Sequence, residues 1–218
     1  MKEFPDYLPQ WYDKGIYGQM GVGKMVKKIT LEGNTVMLVP METSHLDGLW
    51  EAGQNQSIWE FTSSKVSSKE DMKKVIEAAM VEREKGTQIP FIVLDKQTDK
   101  IVGSSRYLDI SKAHKSLEIG WTWYSPVYWR TGVNTETKLL LLQYAFEKME
   151  VNRVQFCTDS RNVRSQNAIA RLGAQREGVL RKHRMIADGY IRDTVVFSII
   201  KEEWPQIKTG LQDKLNRK

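Results

Sequence analysis

Residues Glu118–Phe146, E-I-G-W-T-W-Y-S-P-V-Y-W-R-T-G-V-N-T-E-T-K-L-L-L-L-Q-Y-A-F, decide how the rest of the chain is read. Leu117, Ile119, Trp121 and Trp123 alternate with Glu118, Gly120, Thr122 and Tyr124. A period of two rich in β-formers predicts a strand, with the tryptophans on one face and Glu118 on the other. Pro126 has no amide hydrogen and ends the strand. Asn134 or Thr135 then caps an amphipathic helix, with Glu136 in its first turn complementing the dipole. In the loop between, Trp129-Arg130-Thr131-Gly132-Val133-Asn134, a glycine permits close backbone approach, Arg130 adds charge and the helix start adds a partial positive end. That combination suits a phosphate or pyrophosphate.

Working outward, Thr35–Val39 reads as a short strand and Ser44 as the cap of a helix carrying Leu46, Leu49, Trp50 and Ile58. Ser68 and Asp71 form a capping-box start for a second helix that runs to Gly86. Ile89–Leu94 and Ile101–Leu108 are strands joined by the polar run Asp95–Lys100. After the central strand and its helix, Arg153–Thr158 completes a βαβ unit and therefore a locally parallel pair. Ser165–Leu172 is a short helix ended by Gly173. Ala174–Arg184 and Tyr190–Ile200 close the sheet as an antiparallel hairpin around Asp188-Gly189, and Trp204–Leu215 is a terminal helix. The fold class is α/β, an α+β mixed sheet that is mostly antiparallel and flanked by helices.

At 218 residues the chain has the size of one domain. Residues 1–24 lack periodicity and read as an N-terminal arm, with residues 25–218 as the single domain and Met20 or Met25 as alternative starts. Hydrophobic residues make up 40% of the chain, which is globular composition, and no run approaches the roughly 20 apolar residues of a membrane span. The charged first residues do not resemble a signal peptide, and a single cysteine forms no internal disulfide, so the cytoplasm is the expected compartment. Net charge +6 favours acidic partners or a phosphate-rich ligand. No long basic block points to nucleic acid. Gly18-x-x-x-x-Gly23-Lys24 mimics a P-loop, but Met25 stands where Ser or Thr would hold magnesium, and no strand precedes it.

The central segment resembles motif A of the GNAT superfamily of acyl-CoA-dependent N-acyltransferases, whose loop reads Gln/Arg-x-x-Gly-x-Gly/Ala. Here it reads Trp129-x-x-Gly132-x-Asn134, so the middle glycine matches and both ends depart. Asn162-x-x-Ser165-x-x-Ala168-x-x-x-x-Gly173 is similar to motif B of that superfamily. Glu177–Arg181 and Asp188-Gly189…Asp193 resemble its ribosomal-protein-alanine N-acetyltransferase branch. The resemblance spans roughly residues 30 to 204. It implies acetyl-CoA as cosubstrate, no metal, and direct transfer of the acetyl group to a primary amine, either a protein N-terminus or a small amine. It also implies a central strand splayed from its neighbour, and contacts to the cofactor from Trp123, Arg130, Thr131, Gly132, Val133, Asn134, Thr135, Asn162 and Asn167.

Acyl transfer needs a neutral amine, a donor for the carbonyl oxygen and a proton for the leaving thiolate. Glu118 is the candidate base, against a plain strand-face carboxylate paired with a surface lysine. Ser165 is the candidate acid, against a hydroxyl that merely caps its helix. Tyr124 is a rival acid, with core packing as its alternative. Backbone amides near Trp123 are the oxyanion donors. Asn162 and Asn167 either contact cofactor or stabilise turns. Cys157, ending an apolar strand, reads as core rather than as a covalent nucleophile. His45, His114 and His183 have no ligand spacing with it, so no metal site is expected. A catalytically silent acyl-CoA-binding module and an RNA- or ribosome-associated protein are the competing functions. The acceptor amine and the oligomeric state stay open, with a homodimer admitted.

Overall fold

The computed structural model describes residues 29–186 and 189–217, so the N-terminal arm, the P-loop mimic and Asp188 lie outside the described residues. Thirteen elements follow in chain order: β1 (Leu31–Glu32), β2 (Val36–Pro40), α1 (Leu46–Gly53), α2 (Lys69–Glu84), β3 (Ile89–Asp95), β4 (Lys100–Ser111), β5 (Ser116–Tyr124), α3 (Val133–Glu147), β6 (Arg153–Asp159), α4 (Val163–Arg171), β7 (Gln175–Met185), β8 (Ile191–Ile200) and α5 (Trp204–Asn216). The strands form one sheet in the order β1-β2-β3-β4-β5-β6-β8-β7. Only β5 and β6 run parallel; the other neighbours are antiparallel.

Apolar clusters cover the two faces. Leu139, Leu141, Leu142 and Phe146 of α3 pack with Ile169 of α4 and Trp204 and Leu211 of α5 against Leu117, Ile119, Val154 and Phe156. On the other face, Leu49 of α1 and Met72 and Ile76 of α2 pack against Ile92 and Trp123, and the Trp59 and Trp123 ring centroids lie 5.1 Å apart. The capping box on α2 is present: Ser68 Oγ accepts from Asp71 N at 3.1 Å, and Asp71 Oδ2 accepts from Ser68 N at 3.0 Å. The other expected N-caps fall elsewhere, whereas Gly173, at φ 102°, ends its helix as expected. Glu42, not Ser44, opens a 3-10 turn at Thr43–His45 that leads into α1, and Ile58 belongs to a separate turn capped by Asn55. Helix α3 starts earlier than expected, with Gly132 as its N-cap, so Asn134 and Thr135 sit inside its first turn.

The central strand carries the largest departure. Arg106 pairs with Gly120 while Ser104, two residues on, pairs with Trp123, three residues on. One extra residue is therefore inserted in β5, and Trp121 takes a positive φ of 50°. The bulge resets the alternation. Leu108, Arg106 and Ser104 share a face of β4, so their partners Glu118, Gly120 and Trp123 share a face of β5. Glu118 is thus on the same side as Trp123, and Leu117 and Ile119 are on the other. The strand is as expected; the predicted separation of Glu118 from the tryptophans is corrected.

Candidate active site

β5 and β6 pair only from Ser116–Arg153 to Glu118–Gln155, although both strands continue, to Tyr124 and Asp159. Beyond Glu118 they splay, and the gap opens at the bulge. Ser125 N donates to Val102 O on β4 at 2.9 Å. Amides alternate sides along a strand, so the amide of Trp123 faces β4 and that of Tyr124 faces the gap. Of the amides near Trp123, that of Tyr124 is the one directed into the splay.

At the open end of the gap lies the loop into α3. Pro126–Tyr128 form a 3-10 turn, Thr131 Oγ1 donates to Tyr128 O at 2.7 Å, and Trp129 Nε1 donates to Tyr124 O at 2.9 Å. Positive φ falls on Arg130 at 63°, whereas Gly132 has an ordinary helical φ of −68°. A Cβ on Gly132 would meet only Leu215 Cδ2, at 3.6 Å, so protein packing does not demand glycine there. Val133 N donates to Thr131 Oγ1, and no side chain caps the helix. The amides of Asn134 and Thr135 therefore have no acceptor among the described residues, as the geometry of a helix start leaves them. With Arg130 beside them they fit an anion. Arg164, second residue of α4, lays its guanidinium 3.8 Å from the Trp129 ring centroid and joins the two helix starts across the gap. A cation at a helix N-terminus opposes the dipole, and that was the available sequence signal for Arg164.

Asn162 caps α4, accepting from Ser165 N at 2.9 Å, so the cap is the asparagine and not Ser165. Ser165 sits in the first turn, and its hydroxyl makes no hydrogen bond to a described residue. Asn167 is exposed and lies about 200° round the helix from the core residue Ile169. Tyr124 is packed in the core beneath α3. Its hydroxyl faces Thr137 without a hydrogen bond of normal geometry, and burial pushes its pKa above the usual tyrosine range.

Glu118 is 4% exposed and makes no ion pair among the described residues; Gln155 Nε2 donates to its Oε2 at 3.2 Å. The surface-lysine alternative is therefore out. The same Gln155 nitrogen lies 3.4 Å from Cys157 Sγ, so Cys157 is on the Glu118 face and only half-buried, not in the core. Burial, then Glu118, push its thiol up to about 12, which leaves it protonated and poorly nucleophilic at neutral pH. Lys138 of α3, 5% exposed, donates to Thr122 Oγ1 at 2.6 Å and sits 5.7 Å from the Phe156 ring centroid, beneath the bulge. Burial pulls its amine down to about 7. Nothing in the local sequence of an apolar helix marked this lysine as buried. Among the described residues no three His, Cys, Asp or Glu side chains cluster to hold a metal ion. No described helix is long and apolar enough to cross a membrane.

A mixed sheet whose parallel pair splays beside a helix start with unpartnered amides defines an α/β protein with a cleft suited to an anionic ligand. Comparison with known proteins gives the family. The acetyltransferase (GNAT) domain family matches residues 35–175. The uncharacterized N-acetyltransferase p20 of Bacillus licheniformis is 28% identical over 181 residues, 80% of this chain and 98% of that protein. A GCN5-related N-acetyltransferase from Brucella melitensis superposes with a TM-score of 0.80 at 26% identity, covering 86% of each chain. Mycobacterium smegmatis RimJ, solved in complex with CoA-disulfide, shares the fold alone, with a TM-score of 0.68 at 20% identity over 82% of this chain and 88% of that one. The chain belongs to the GNAT acetyltransferase family, and it is an acyltransferase of the acetyl-CoA-using kind.

Proposed function

We propose that this enzyme acetylates a primary amine by direct attack within a ternary complex, with no metal, and that the amine is a peptide N-terminus. The observation that carries the reading is the placement of Glu118 on the open face of β5 and β6, immediately beside the point where the two strands part. Acetyl-CoA supplies the activated thioester. Gly132, Val133, Asn134 and Thr135 present backbone to its phosphates, with Arg130 and Thr131 flanking them and Asn162 bordering the gap from α4. Asn167, on the outer side of α4, is the weakest member of this set. The Tyr124 amide donates to the carbonyl oxygen as negative charge develops there. Glu118 takes the proton from the attacking amine, and Ser165 Oγ–H protonates the leaving thiolate. Tyr124 acts through its backbone, because its hydroxyl is packed under α3. Fold neighbours include a ribosomal-protein-serine and a ribosomal-protein-S5-alanine acetyltransferase, both under 25% identical, which is in keeping with a protein N-terminus.

The pH dependence tests the base and the amine together. An α-amine with a pKa near 8 is roughly one-tenth neutral at pH 7, whereas a lysine near 10.4 is neutral to only about 0.04%. With a peptide acceptor, Glu118→Gln is expected to slow transfer by about 10²-fold or more at pH 7 and to recover much of the loss at pH 9. Ser165→Ala is expected to lower the rate at every pH. Mass-spectrometric detection of acetylated peptide gives both profiles. Full activity of Glu118→Gln at pH 7 would remove Glu118 from the mechanism.

A further inference from the structure

On β8, Ser198, Val196 and Thr194 pair with Gln155, Cys157 and Asp159 in unbroken register. They share the Glu118 face, and by the same alternation so does Arg192. Arg192 in turn stands directly opposite Arg184 of β7. Like charges directly opposite one another in an antiparallel pair are destabilising. Arg192 is 8% exposed, gives its Nε to Thr194 Oγ1 at 3.1 Å and makes no ion pair among the described residues. Burial first, and the neighbouring Arg184 second, lower its pKa, against the smaller opposing attraction of Asp159, Cys157 and Glu118. Among the described residues the ion pair that Arg184 makes is with the exposed Asp109, at 4.0 Å.

That contact also fixes the shape of the site. Asp109 is on β4, four strand spacings from β7 in the sheet order. On a flat sheet this is roughly 19 Å, farther than one arginine side chain reaches. The register slips between Leu180 and Arg184, and Lys182 takes a positive φ of 49°. The Arg184 end of β7 therefore leans back towards the face that carries Glu118, and both arginines contribute to the field at Cys157. The result is a groove with Glu118, Gln155 and Cys157 on its floor and two closely set cations at its side and roof.

We propose that this groove is the acceptor site and that it selects an amine carrying a carboxylate within a residue or two of the reacting nitrogen, an acidic peptide N-terminus, with Arg184 and Arg192 holding the carboxylate while Glu118 receives the amine proton. The inference rests on the N-acetyltransferase reading above. A bound carboxylate would offset the repulsion between the two facing guanidiniums, and charge-assisted contacts of this kind are strong in a partly enclosed site.

The test is a set of matched peptides, Ser-Asp-Asp-Ala, Ser-Asn-Asn-Ala and Ser-Lys-Lys-Ala, with free aspartate as a small acidic amine. For the wild type, kcat/KM is expected to be about tenfold higher for the acidic peptide than for the neutral one, carried mainly by KM and weakened by added salt. Arg184→Gln, on an exposed part of the hairpin, is expected to lower the acidic-to-neutral ratio about fivefold, and Arg184→Lys to restore most of it. Arg192→Gln is expected to act in the same direction. Faster turnover of aspartate than of the acidic peptide would support the carboxylate site and assign it to a small amino acid. Equal rates on acidic and neutral peptides would overturn this inference and leave the acetyltransferase reading intact. No transfer to any of the amines would overturn both.

Discussion

Lys138 illustrates how a single residue ties the site to the stability of the fold. An amine in the unfolded chain titrates near 10.4, and burial lowers that of Lys138 to about 7. Between those values the unfolded chain binds more protons, so stability at this position rises with pH over that window, and the burial cost is fully present below pH 7. Lys138→Met is therefore expected to raise the unfolding free energy by roughly 2 kcal/mol at pH 6, with the gain shrinking towards pH 9.5. Urea titrations at the two pH values measure it, and a gain that does not vary with pH would mean that another group titrates. Local pattern made the strand that carries Glu118 and the helix that carries Ser165 legible. The lysine was not legible, since its burial comes from Thr122 and Phe156 on two other elements. Cys157 was misread for a related reason: its strand looks apolar, but its side of the strand is the open one.

Between elements, Glu136 does more than complement a dipole. Its carboxylate is 4% exposed and accepts from Thr35 N at 2.9 Å, Val36 N at 3.0 Å, Asn34 N and Thr35 Oγ1, so the start of α3 is clamped to the β1–β2 turn. Charged acceptors of backbone amides are worth more than neutral ones, and removing this one leaves buried donors unsatisfied. Glu136→Ala is expected to cost about 2–4 kcal/mol in unfolding free energy by chemical denaturation. A loss under about 0.5 kcal/mol would show that water replaces the carboxylate there. Elements whose boundaries rest on neighbouring residues, such as α2 with its Ser68–Asp71 box, could be read directly. The bulge in β5 could not. It puts a positive φ on Trp121, which is rare for a bulky side chain, and is imposed by the neighbouring strand; a Cβ on Gly103 would lie 2.2 Å from Trp123 O. The acceptor-groove cations share this property, since only the register of β7, β8 and β6 brings them to Glu118.

At the scale of the whole molecule, helices on both faces force the sheet to bury its apolar sides. The sheet itself parts beyond Glu118, where β5 and β6 stop pairing. Fold class and family motifs were legible because strand order follows from short connections and a single βαβ crossover. The proposed mechanism requires acetyl-CoA to bind in the splay with its phosphates on the start of α3. The direct measurement is thermal unfolding of the wild type and of Gly132→Glu with and without acetyl-CoA. At about 100 times its dissociation constant the ligand is expected to add roughly 2.7 kcal/mol, a midpoint shift of about 5–10 °C for a chain of this size. The Gly132→Glu protein is expected to melt close to the wild type without ligand, because a side chain there meets little protein, and to show no shift with it. An equal shift in both proteins, or none in the wild type, would contradict the claim.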